Sequence, residues 1–421
     1  MMKESIRLRR YLFEEVVSYF EKLRCPGERY RYLEAKGVMK NAFLAKISAW
    51  TVPFFQKYAI FKRKRIDPKH ITVLFYADPM AYSHIVSTLV EHTNIMINNP
   101  FRCSPITINR EKNVIFLPLF VISKSLVDGI RKNKREQVLQ SLCELRSILQ
   151  KAAPEIMVVN DAIHPMNRAL IWLGKELRIT TVELQHAVYP KEMLLIEGFG
   201  ADYVFVWGDI FRQMYLDQQI RSSDSIKIMG YPHELGKIPI DVQKKSLTLC
   251  YLAQGFQYED IGNLDILLEN AIKLRSICEQ NGLQFRCRLH PNSPSILLKK
   301  ILPVVECVPR REKLIDTIKG SDIFISFNST SLIEAALNGK HCIQLKNINV
   351  VTDDFEKLGI CPRSFRTIDE VEIYLRQLAK KKAQNLLKYN KPINPRYIEI
   401  PKPDAGTRFF ELMQDITNKS R

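Results

Sequence analysis

The apolar and polar positions along the chain predict two series of strands that alternate with helices. Apolar runs recur over residues 71–229 and again over 247–345, and stretches with helical spacing separate most of them. The predicted strands are Ile71–Tyr76, Asn113–Leu119, Glu155–Val159, Thr180–Leu184, Ala201–Trp207 and Ser225–Met229, then Leu247–Ala253, Gln284–Leu289, Val304–Val308, Ile323–Phe327 and His341–Leu345. The predicted helices are 123–152, 165–177, 259–280, 331–338, 368–390 and 405–417. This alternation is typical of parallel sheets covered by helices on both faces.

The fold class is therefore α/β, with two Rossmann-like domains and a cleft between them. Residues 231–245 lack a clear period and contain two prolines and several charges, so we place a hinge there. This divides the chain into a first domain over 71–235 and a second over 236–400. The last segment, 401–421, is a helix that is a candidate for crossing back to the first domain.

Residues 1–70 form a helical, basic segment of their own. They hold 17 Lys and Arg but 7 Asp and Glu, an excess of ten in a chain whose net charge is +18. Large apolar residues recur at helical spacing over 41–61, and the basic run 62–65 follows. The pattern fits a peripheral helix on an anionic membrane surface. A helix packed on the first domain fits it equally well.

Composition limits the class of protein and its partners. The 421 residues, 46% hydrophobic and 26% charged, suit two folded domains. Neither a membrane-spanning apolar run nor a signal core is visible, so we expect a cytoplasmic protein, with the inner face of the inner membrane as a candidate location. Nine scattered cysteines without metal-ligand spacing predict reduced thiols and no metal site. No nucleic-acid recognition motif is visible, so we expect no nucleic-acid partner.

The clearest chemical pattern is the segment 325–340, where an apolar strand ends in small polar residues that open a helix. These are Asn328, Ser329, Thr330 and Ser331. A hydroxyl that caps the helix, together with the exposed N–H groups of its first turn, would form a phosphate site. Glu334, one turn further, is placed to receive the ribose hydroxyls of a nucleotide. An ordinary capped strand–turn–helix explains the same residues without any ligand.

A second pattern lies at the end of the strand Gln284–Leu289. Alternation along this strand puts Arg286 and Arg288 on one face and delivers His290 and Pro291 at the carboxyl end. Cationic and hydrogen-bonding side chains at such a position suit a phosphate leaving group. The alternative is a histidine with a purely structural hydrogen bond.

The His-Pro pair, the Ser/Thr-rich strand end and the Glu-Ala-x-x-x-Gly that follows together resemble the C-terminal domain of bacterial GT-B glycosyltransferases. The resemblance is greatest to enzymes of capsule and lipopolysaccharide assembly, including sialyltransferases, polysialyltransferases and Kdo transferases. It implies that His290, Ser329 and Ser331 hold the phosphate of a CMP-sugar. The motifs are short and cover roughly residues 150–350.

The first domain has motifs that are similar to the same enzymes. Gln185-His186-Ala187 stands where they often carry Gln-His-Gly, and the stretches 158–161, 202–208 and 229–232 also resemble them. Inverting transfer needs a base for the acceptor hydroxyl. Asp161 is the first candidate and His186 the second. Asp78, before a proline, fits a turn better, and His164 is a candidate for orienting a substrate. In a retaining enzyme neither base role holds.

These observations predict an inverting glycosyltransferase that moves a sugar from a nucleotide donor, with a CMP-sugar favoured, to a growing bacterial surface glycan. No Asp-x-Asp run occurs mid-chain, so we expect metal-independent transfer with no cofactor beyond the nucleotide-sugar substrate. The acceptor would be a glycan or a lipid-linked glycan. Three alternatives remain: a polyol-phosphate transferase of the teichoic-acid kind, a basic membrane- or nucleic-acid-binding protein, and a sugar-nucleotide epimerase, which normally has a glycine-rich turn where Asn328–Ser331 stands.

Overall fold

A computed structural model gives the fold of the chain from residue 70 onward. It describes residues 70–77, 82–97, 114–117, 119–160, 164–188, 200–219, 221–233, 244, 246–253, 262–290, 300–309, 312–327, 329–346, 354–383, 393 and 396–420. The helical stretch expected over 41–61, and most of the hinge expected at 231–245, lie outside these ranges. No helix in the described ranges is long and apolar enough to cross a lipid bilayer.

Seven parallel strands form the first sheet, in the order β3-β2-β1-β4-β5-β6-β7. The strands are β1 Thr72–Tyr76, β2 Asn94–Ile97, β3 Val114–Phe116, β4 Ile156–Val159, β5 Thr180–Leu184, β6 Tyr203–Val206 and β7 Ile226–Ile228. The helices are α1 Ser83–His92, α2 Leu119–Arg131, α3 Arg135–Ala152, α4 Pro165–Leu177 and α5 Asp209–Asp217. The strand order reverses between β1 and β4, which opens a crevice at their carboxyl ends.

Five parallel strands form the second sheet, in the order β12-β11-β10-β8-β9. The strands are β8 Thr248–Ala253, β9 Gln284–Leu289, β10 Ile323–Ser326, β11 His341–Leu345 and β12 Arg363–Phe365. The helices are α6 Gly262–Gln280, α7 Leu314–Gly320, α8 Thr330–Leu337 and α9 Ile368–Ala383, and α10 Ala405–Ser420 ends the chain. Here the order reverses between β8 and β10. The predicted α/β class with two Rossmann-like sheets is confirmed.

Both faces of each sheet are buried, as the continuous apolar runs require. In β1, Val73 and Phe75 enter one apolar core while Leu74 enters the core on the opposite face. Another core is shared by the two domains, because Trp207 of the first domain and Leu332 of the second belong to the same buried cluster. The two carboxyl edges are therefore joined by packed side chains.

The end of the chain returns to the first sheet. Helix α10 packs on α1, and Phe409 lies edge-on to Phe75 and Phe205 with ring centroids 6.4 and 5.6 Å away. The preceding segment 396–401 runs along the ends of β6 and β7. Gly230 faces it with a φ of 86°, and a Cβ there would lie 2.8 Å from the Glu399 carbonyl oxygen, so a side chain is excluded.

Two predicted elements differ from the structure. The single helix expected over 123–152 is two helices, α2 and α3, because the chain turns at Asn133 with a φ of 51°. The strand expected over Val304–Val308 is reduced to one bridge between Cys287 and Cys307, since Val308 donates a backbone hydrogen bond to Cys287 and the pairing goes no further. The pattern also missed α1, β2, α5, α7 and β12, which are short and lack strong boundary residues.

Candidate nucleotide and acceptor sites

The residues of the predicted phosphate site lie in the turn between β10 and α8 and in the first turn of α8. Ser329 has an extended backbone and is the N-cap of α8, where its hydroxyl accepts a hydrogen bond from the Ser331 N–H at 3.2 Å. Of the three hydroxyl residues that the sequence offered as caps, Ser329 is the one used. Thr330 and Ser331 occupy the first turn and are partly exposed, so their hydroxyls stand beside the positive end of the helix dipole.

Buried polar groups fix this turn from behind. The Gln344 amide donates to the Phe327 carbonyl at 2.9 Å, and its oxygen accepts from the Phe355 N–H at 2.9 Å. Ser326 donates its buried hydroxyl to the Leu252 carbonyl of β8 at 3.0 Å. The backbone just before the turn is therefore held on both sides. Sequence reasoning missed Gln344, although a glutamine at the end of an otherwise apolar strand is a recognisable signal.

The predicted pair of arginines lies on one face of β9, as alternation requires. The Nη2 group of Arg286 donates to both carboxylate oxygens of Glu312, each at 3.0 Å, and forms an ion pair with it. Arg288 donates to the Thr317 hydroxyl at 2.6 Å and to the Glu312 carbonyl at 3.0 Å. The guanidinium of Arg288 thus anchors the start of α7, and burial lowers its pKa. In the same position it remains close enough to Glu334 to interact with it electrostatically.

His290 follows β9 directly and is exposed. Its backbone N–H donates to the Ala253 carbonyl at 3.1 Å, which places it beside the end of β8. Strand β8 lies between β9 and β10, so His290 and Ser329 are two strand spacings apart, about 10 Å along the same edge. That separation suits two ends of one phosphate-bearing ligand. Pro291 and Asn328 lie outside the described residues.

Glu334 lies on α8, one turn from the cap, and faces both domains. Burial raises its pKa to about 7, while the Tyr231 hydroxyl and the Arg288 guanidinium favour its ionised form and act in the opposite direction. The side chain keeps a minor solvent-exposed surface although protein surrounds it on most sides. Tyr231 was not among the predicted site residues, and its position beyond the end of β7 gave little sign of this contact.

The first domain presents His186 at the end of β5. The neighbouring Gln185 is 6% exposed; its amide donates to the Ala187 carbonyl at 3.0 Å and its oxygen accepts from the Trp207 N–H at 2.9 Å. The Trp207 indole N–H donates to the Gln185 carbonyl at 2.8 Å. These hydrogen bonds restrain the backbone conformation of the loop. Ala187 occupies the position at which the enzymes that this chain resembles often have glycine.

The other predicted residues of the first domain lie near the end of β4. His164 is the N-cap of α4 and accepts from the Met166 N–H through Nδ1 at 3.3 Å. Asp161, the first candidate for the base, lies outside the described residues, as does Asp78. Its neighbour Asn160 directly follows β4, and β4 pairs with β5, which precedes His186.

Within the described ranges, no group of three His, Cys, Asp or Glu side chains lies close enough together to hold a metal ion. Near the carboxyl edge of the second sheet, Arg288 contributes a positive charge, whereas Arg286 lies closer to the amino end, beside Gly320. The arrangement can bind an anion at the start of α8 and accept hydrogen bonds at Glu334.

Known structures match this architecture. A UDP-GlcNAc 2-epimerase from Neisseria meningitidis, in a crystal structure with UDP-GlcNAc bound, aligns with 83% of this chain and 100% of its own at 12% identity and a TM-score of 0.53. The UDP-GlcNAc 2-epimerase from Methanocaldococcus jannaschii, in complex with UDP-GlcNAc and UDP, aligns with 82% and 99% at 14% identity and a TM-score of 0.53. The chain has a GT-B type fold. No protein-family model and no curated protein sequence match it.

Identities this low show the fold alone. In open α/β sheets, ligands bind at the carboxyl ends of strands where the strand order reverses. In this GT-B type chain, both such edges carry the predicted site residues that the structure describes: His186 in the first domain, and His290, Ser329 and Glu334 in the second.

Proposed function

We propose that the chain is a glycosyltransferase that moves a sugar from a nucleotide donor to a growing bacterial surface glycan. The observation that carries the proposal is the capped start of α8 at the strand-order reversal of the second sheet, with Glu334 on the same helix. A nucleotide needs an anion site for its phosphate and hydrogen-bond acceptors for its ribose, and this helix offers both within two turns.

Each residue of the second edge has a proposed part. The first-turn N–H groups of α8 and the hydroxyls of Ser329, Thr330 and Ser331 bind the phosphate. The Glu334 carboxylate accepts hydrogen bonds from the ribose hydroxyls. His290 donates to the phosphate that leaves with the nucleotide, stabilising the charge that develops as the sugar bond breaks. Pro291 and Asn328 complete the same two loops.

The role proposed for Arg288 is electrostatic. Its hydrogen bonds to Thr317 and to the Glu312 carbonyl leave it as a fixed positive charge near the site. We therefore infer that it acts on the phosphate through its field more than by a direct contact. Because Arg288 supplies positive charge near the phosphate, we propose that transfer needs no metal ion. A loss of activity in chelator that magnesium or manganese restores would contradict this.

The acceptor would bind at the first edge. Asp161 or His186 removes the proton of the acceptor hydroxyl while that oxygen attacks the anomeric carbon from the face opposite the leaving phosphate. This displacement inverts the anomeric configuration. Asp161 remains the first choice, and the restrained loop around Gln185 favours His186 as the residue that orients the hydroxyl if it is not the base.

A thermal-shift panel of CMP, CDP, UDP, GDP and ADP tests the donor site, with wild type and His290→Ala compared. A nucleotide that binds the folded state alone raises the melting temperature by mass action. The resemblance favours CMP, whereas the fold is shared with epimerases solved with UDP-GlcNAc. A shift with either nucleotide that is reduced in the variant supports the proposal and chooses the donor. No shift with any nucleotide contradicts it and favours a binding protein.

Epimerisation of a sugar-nucleotide is the second candidate, because solved UDP-GlcNAc 2-epimerases share the fold over 82–83% of this chain. The two functions differ in their need for an acceptor. Incubation with UDP-GlcNAc alone, followed by chromatography of the sugar, separates them: an epimer formed without acceptor favours the epimerase, and an unchanged sugar favours transfer. A polyol-phosphate transferase would share the edge but consume a CDP-linked donor.

The basic segment 1–70 suits a place on the inner face of the membrane, where a lipid-linked anionic acceptor would lie. We propose peripheral attachment through residues 40–65. Deletion of those residues should move the protein from the membrane fraction to the supernatant, and unchanged fractionation would remove this part of the proposal.

A further inference from the structure

Tyr231 brings a polar atom of the first domain to the predicted nucleotide site. Its side chain is fully buried, and its hydroxyl faces the carboxyl group of Glu334 on α8. The two groups lie close enough to interact, but the Tyr231 hydroxyl has no hydrogen-bond partner of good geometry. Buried hydroxyls in folded proteins usually make a complete hydrogen bond, so this weak contact is one that a small movement of Glu334 would complete.

The position of the Tyr231 ring does not depend on Glu334. Its backbone N–H donates to the Glu399 carbonyl of the returning segment at 2.8 Å. Its ring packs against Trp207, with centroids 5.0 Å apart, and against His233, with centroids 5.2 Å apart. Three neighbours thus hold the ring, so its hydroxyl is a fixed point.

Glu334, by contrast, has a flexible side chain whose charge depends on its surroundings. From β9, Arg288 faces it, and from the first domain Tyr231 faces it, with Tyr82 close to Tyr231. Both direct neighbours favour the carboxylate, and burial opposes it. A fixed hydroxyl is well placed to decide which way the carboxylate points.

We propose that Tyr231 is a positioning residue that acts across the two domains by orienting Glu334. The inference rests on the proposed function, in which the Glu334 carboxylate receives the ribose. On nucleotide binding, the Tyr231 hydroxyl completes its hydrogen bond to one carboxylate oxygen while the ribose hydroxyls donate to the other. The first domain thereby contributes to binding at a site that the second domain builds.

The chain offers a matched control. Tyr251 is also fully buried, in β8, and its hydroxyl also makes no hydrogen bond of ordinary geometry. Its ring lies in the core of the second domain, 6.4 Å from that of Phe327, and belongs to a different buried cluster from Tyr231. Tyr251→Phe removes the same atom from a comparable environment that does not face Glu334.

The experiment is calorimetric titration of CMP and UDP from pH 6 to pH 8.5 into wild type, Tyr231→Phe, Tyr251→Phe, Glu334→Gln and the Tyr231→Phe/Glu334→Gln double variant. If the carboxylate form binds, wild-type affinity should rise about tenfold between pH 6 and pH 8, since the ionised fraction rises by that factor around a pKa of about 7. Glu334→Gln measures the residual change that does not come from Glu334, including that of the nucleotide phosphate, whose second pKa is about 6.

Tyr231→Phe should move the midpoint of this rise to higher pH, weakening binding about fivefold at pH 7 and less at pH 8.5. Tyr251→Phe should superimpose on wild type, and the double variant should match Glu334→Gln. A Tyr231→Phe profile equal to wild type, or weakened by the same factor at every pH, overturns the inference. Absence of nucleotide binding by wild type overturns the proposed function, and this inference with it.

Discussion

Each sheet has a glutamine that restrains a loop at its carboxyl edge, and the two edges differ in what those loops present. Gln185 fixes the loop that contains His186, and Gln344 fixes the turn that precedes Ser329. Both accept a backbone N–H and donate to a backbone carbonyl, all from buried or half-buried positions. The method of making the loop rigid is therefore common to both domains.

The charges are not common to both. In the second domain, Arg286, Arg288, Glu312 and Glu334 form one connected network, which reaches the carboxyl edge at Arg288 and Glu334. The first edge presents His186 and His164 beside backbone hydrogen bonds, with Tyr231 as its contact to the charged side. The comparison teaches that rigidity alone does not assign a role. Under the proposed function, the charged second edge binds the nucleotide and the first edge supplies the base that takes the acceptor proton.

The largest expected effect is on catalysis at the first edge. Replacing Asp161 by Asn or His186 by Ala should lower the transfer rate by about 100- to 10,000-fold for whichever residue is the base, because general-base catalysis contributes that factor. Nucleotide affinity should stay within about twofold, since that site belongs to the other edge. Rates of sugar transfer to a membrane glycan fraction and calorimetric nucleotide titration measure the two quantities.

His92→Ala is the control for those variants. His92 ends α1 and stacks on Phe410 of α10, with centroids 4.9 Å apart. Because α1 runs back from the carboxyl edge, its last residue lies at the opposite end of the sheet. If both Asp161→Asn and His186→Ala keep the wild-type transfer rate, the proposal that the first edge supplies the base is wrong.

The next effect concerns stability at the second edge. The folded state raises the Glu334 pKa to about 7, so it binds that proton more tightly than the unfolded chain does. This contribution to stability is therefore fully present below about pH 4.5 and is lost as pH rises to about 7. Glu334→Gln should be more stable than wild type at pH 7.5 by about 1–3 kcal/mol, with little difference at pH 5.

Thermal melts of both proteins at several pH values between 5 and 8 check this sign. A gain of 1 kcal/mol corresponds to about 2–4 °C for domains of this size. The same variant should bind nucleotide more weakly, because Glu334 contributes to binding although its burial lowers the stability of the fold. Parallel melting curves for the two proteins across this pH range would show that Glu334 is not strained by burial.

The two glutamines give a smaller effect that separates the edges directly. Gln185→Met and Gln344→Met keep the volume and remove the hydrogen bonds, so each leaves buried backbone groups unpaired at a cost of about 1–3 kcal/mol. The melting temperature of both variants should be several degrees lower than that of wild type. Gln344→Met should also weaken nucleotide binding, whereas Gln185→Met should spare it and slow transfer. The reverse pattern, or equal effects on both quantities, would contradict the comparison.

These glutamines also mark the limit of what the sequence predicts. Periodicity gave the bounds of Thr180–Leu184, Gln284–Leu289 and His341–Leu345 as the structure has them, because buried strands flanked by turns have a strong local pattern. The Ser329 cap and the shared face of Arg286 and Arg288 follow from equally local rules. These features depend on residues within a few positions of each other.

The remaining features depend on groups that only the folded chain brings together. Glu399 meets Trp207 and Tyr231 because the chain returns to the first sheet after completing the second. Arg288 donates a hydrogen bond to the Thr317 hydroxyl because α7 packs on that face of β9. Neither contact has a local signature. Tyr231 lies in the stretch 229–232 that resembles the glycosyltransferases, but nothing in that stretch indicates a contact with Glu334. The motifs of the candidate site could thus be predicted from the sequence, whereas the contacts between residues distant along the chain could not.

The helix caps give the smallest expected effect and the closest test of the comparison. Ser329 caps α8 and His164 caps α4, and each accepts one hydrogen bond from an N–H two residues on. Ser329→Ala and His164→Ala should each lower stability by about 1 kcal/mol. Only Ser329→Ala should also weaken nucleotide binding, because its hydroxyl stands in the proposed phosphate site.

Asparagine is the control at both positions, since its side chain also caps helices well. Ser329→Asn and His164→Asn should restore most of the melting temperature. If nucleotide affinity returns with stability in Ser329→Asn, the residue acts by building the first turn of α8. If stability returns and affinity does not, the serine hydroxyl itself contacts the phosphate, and the second edge is defined by direct chemistry as well as by its charge.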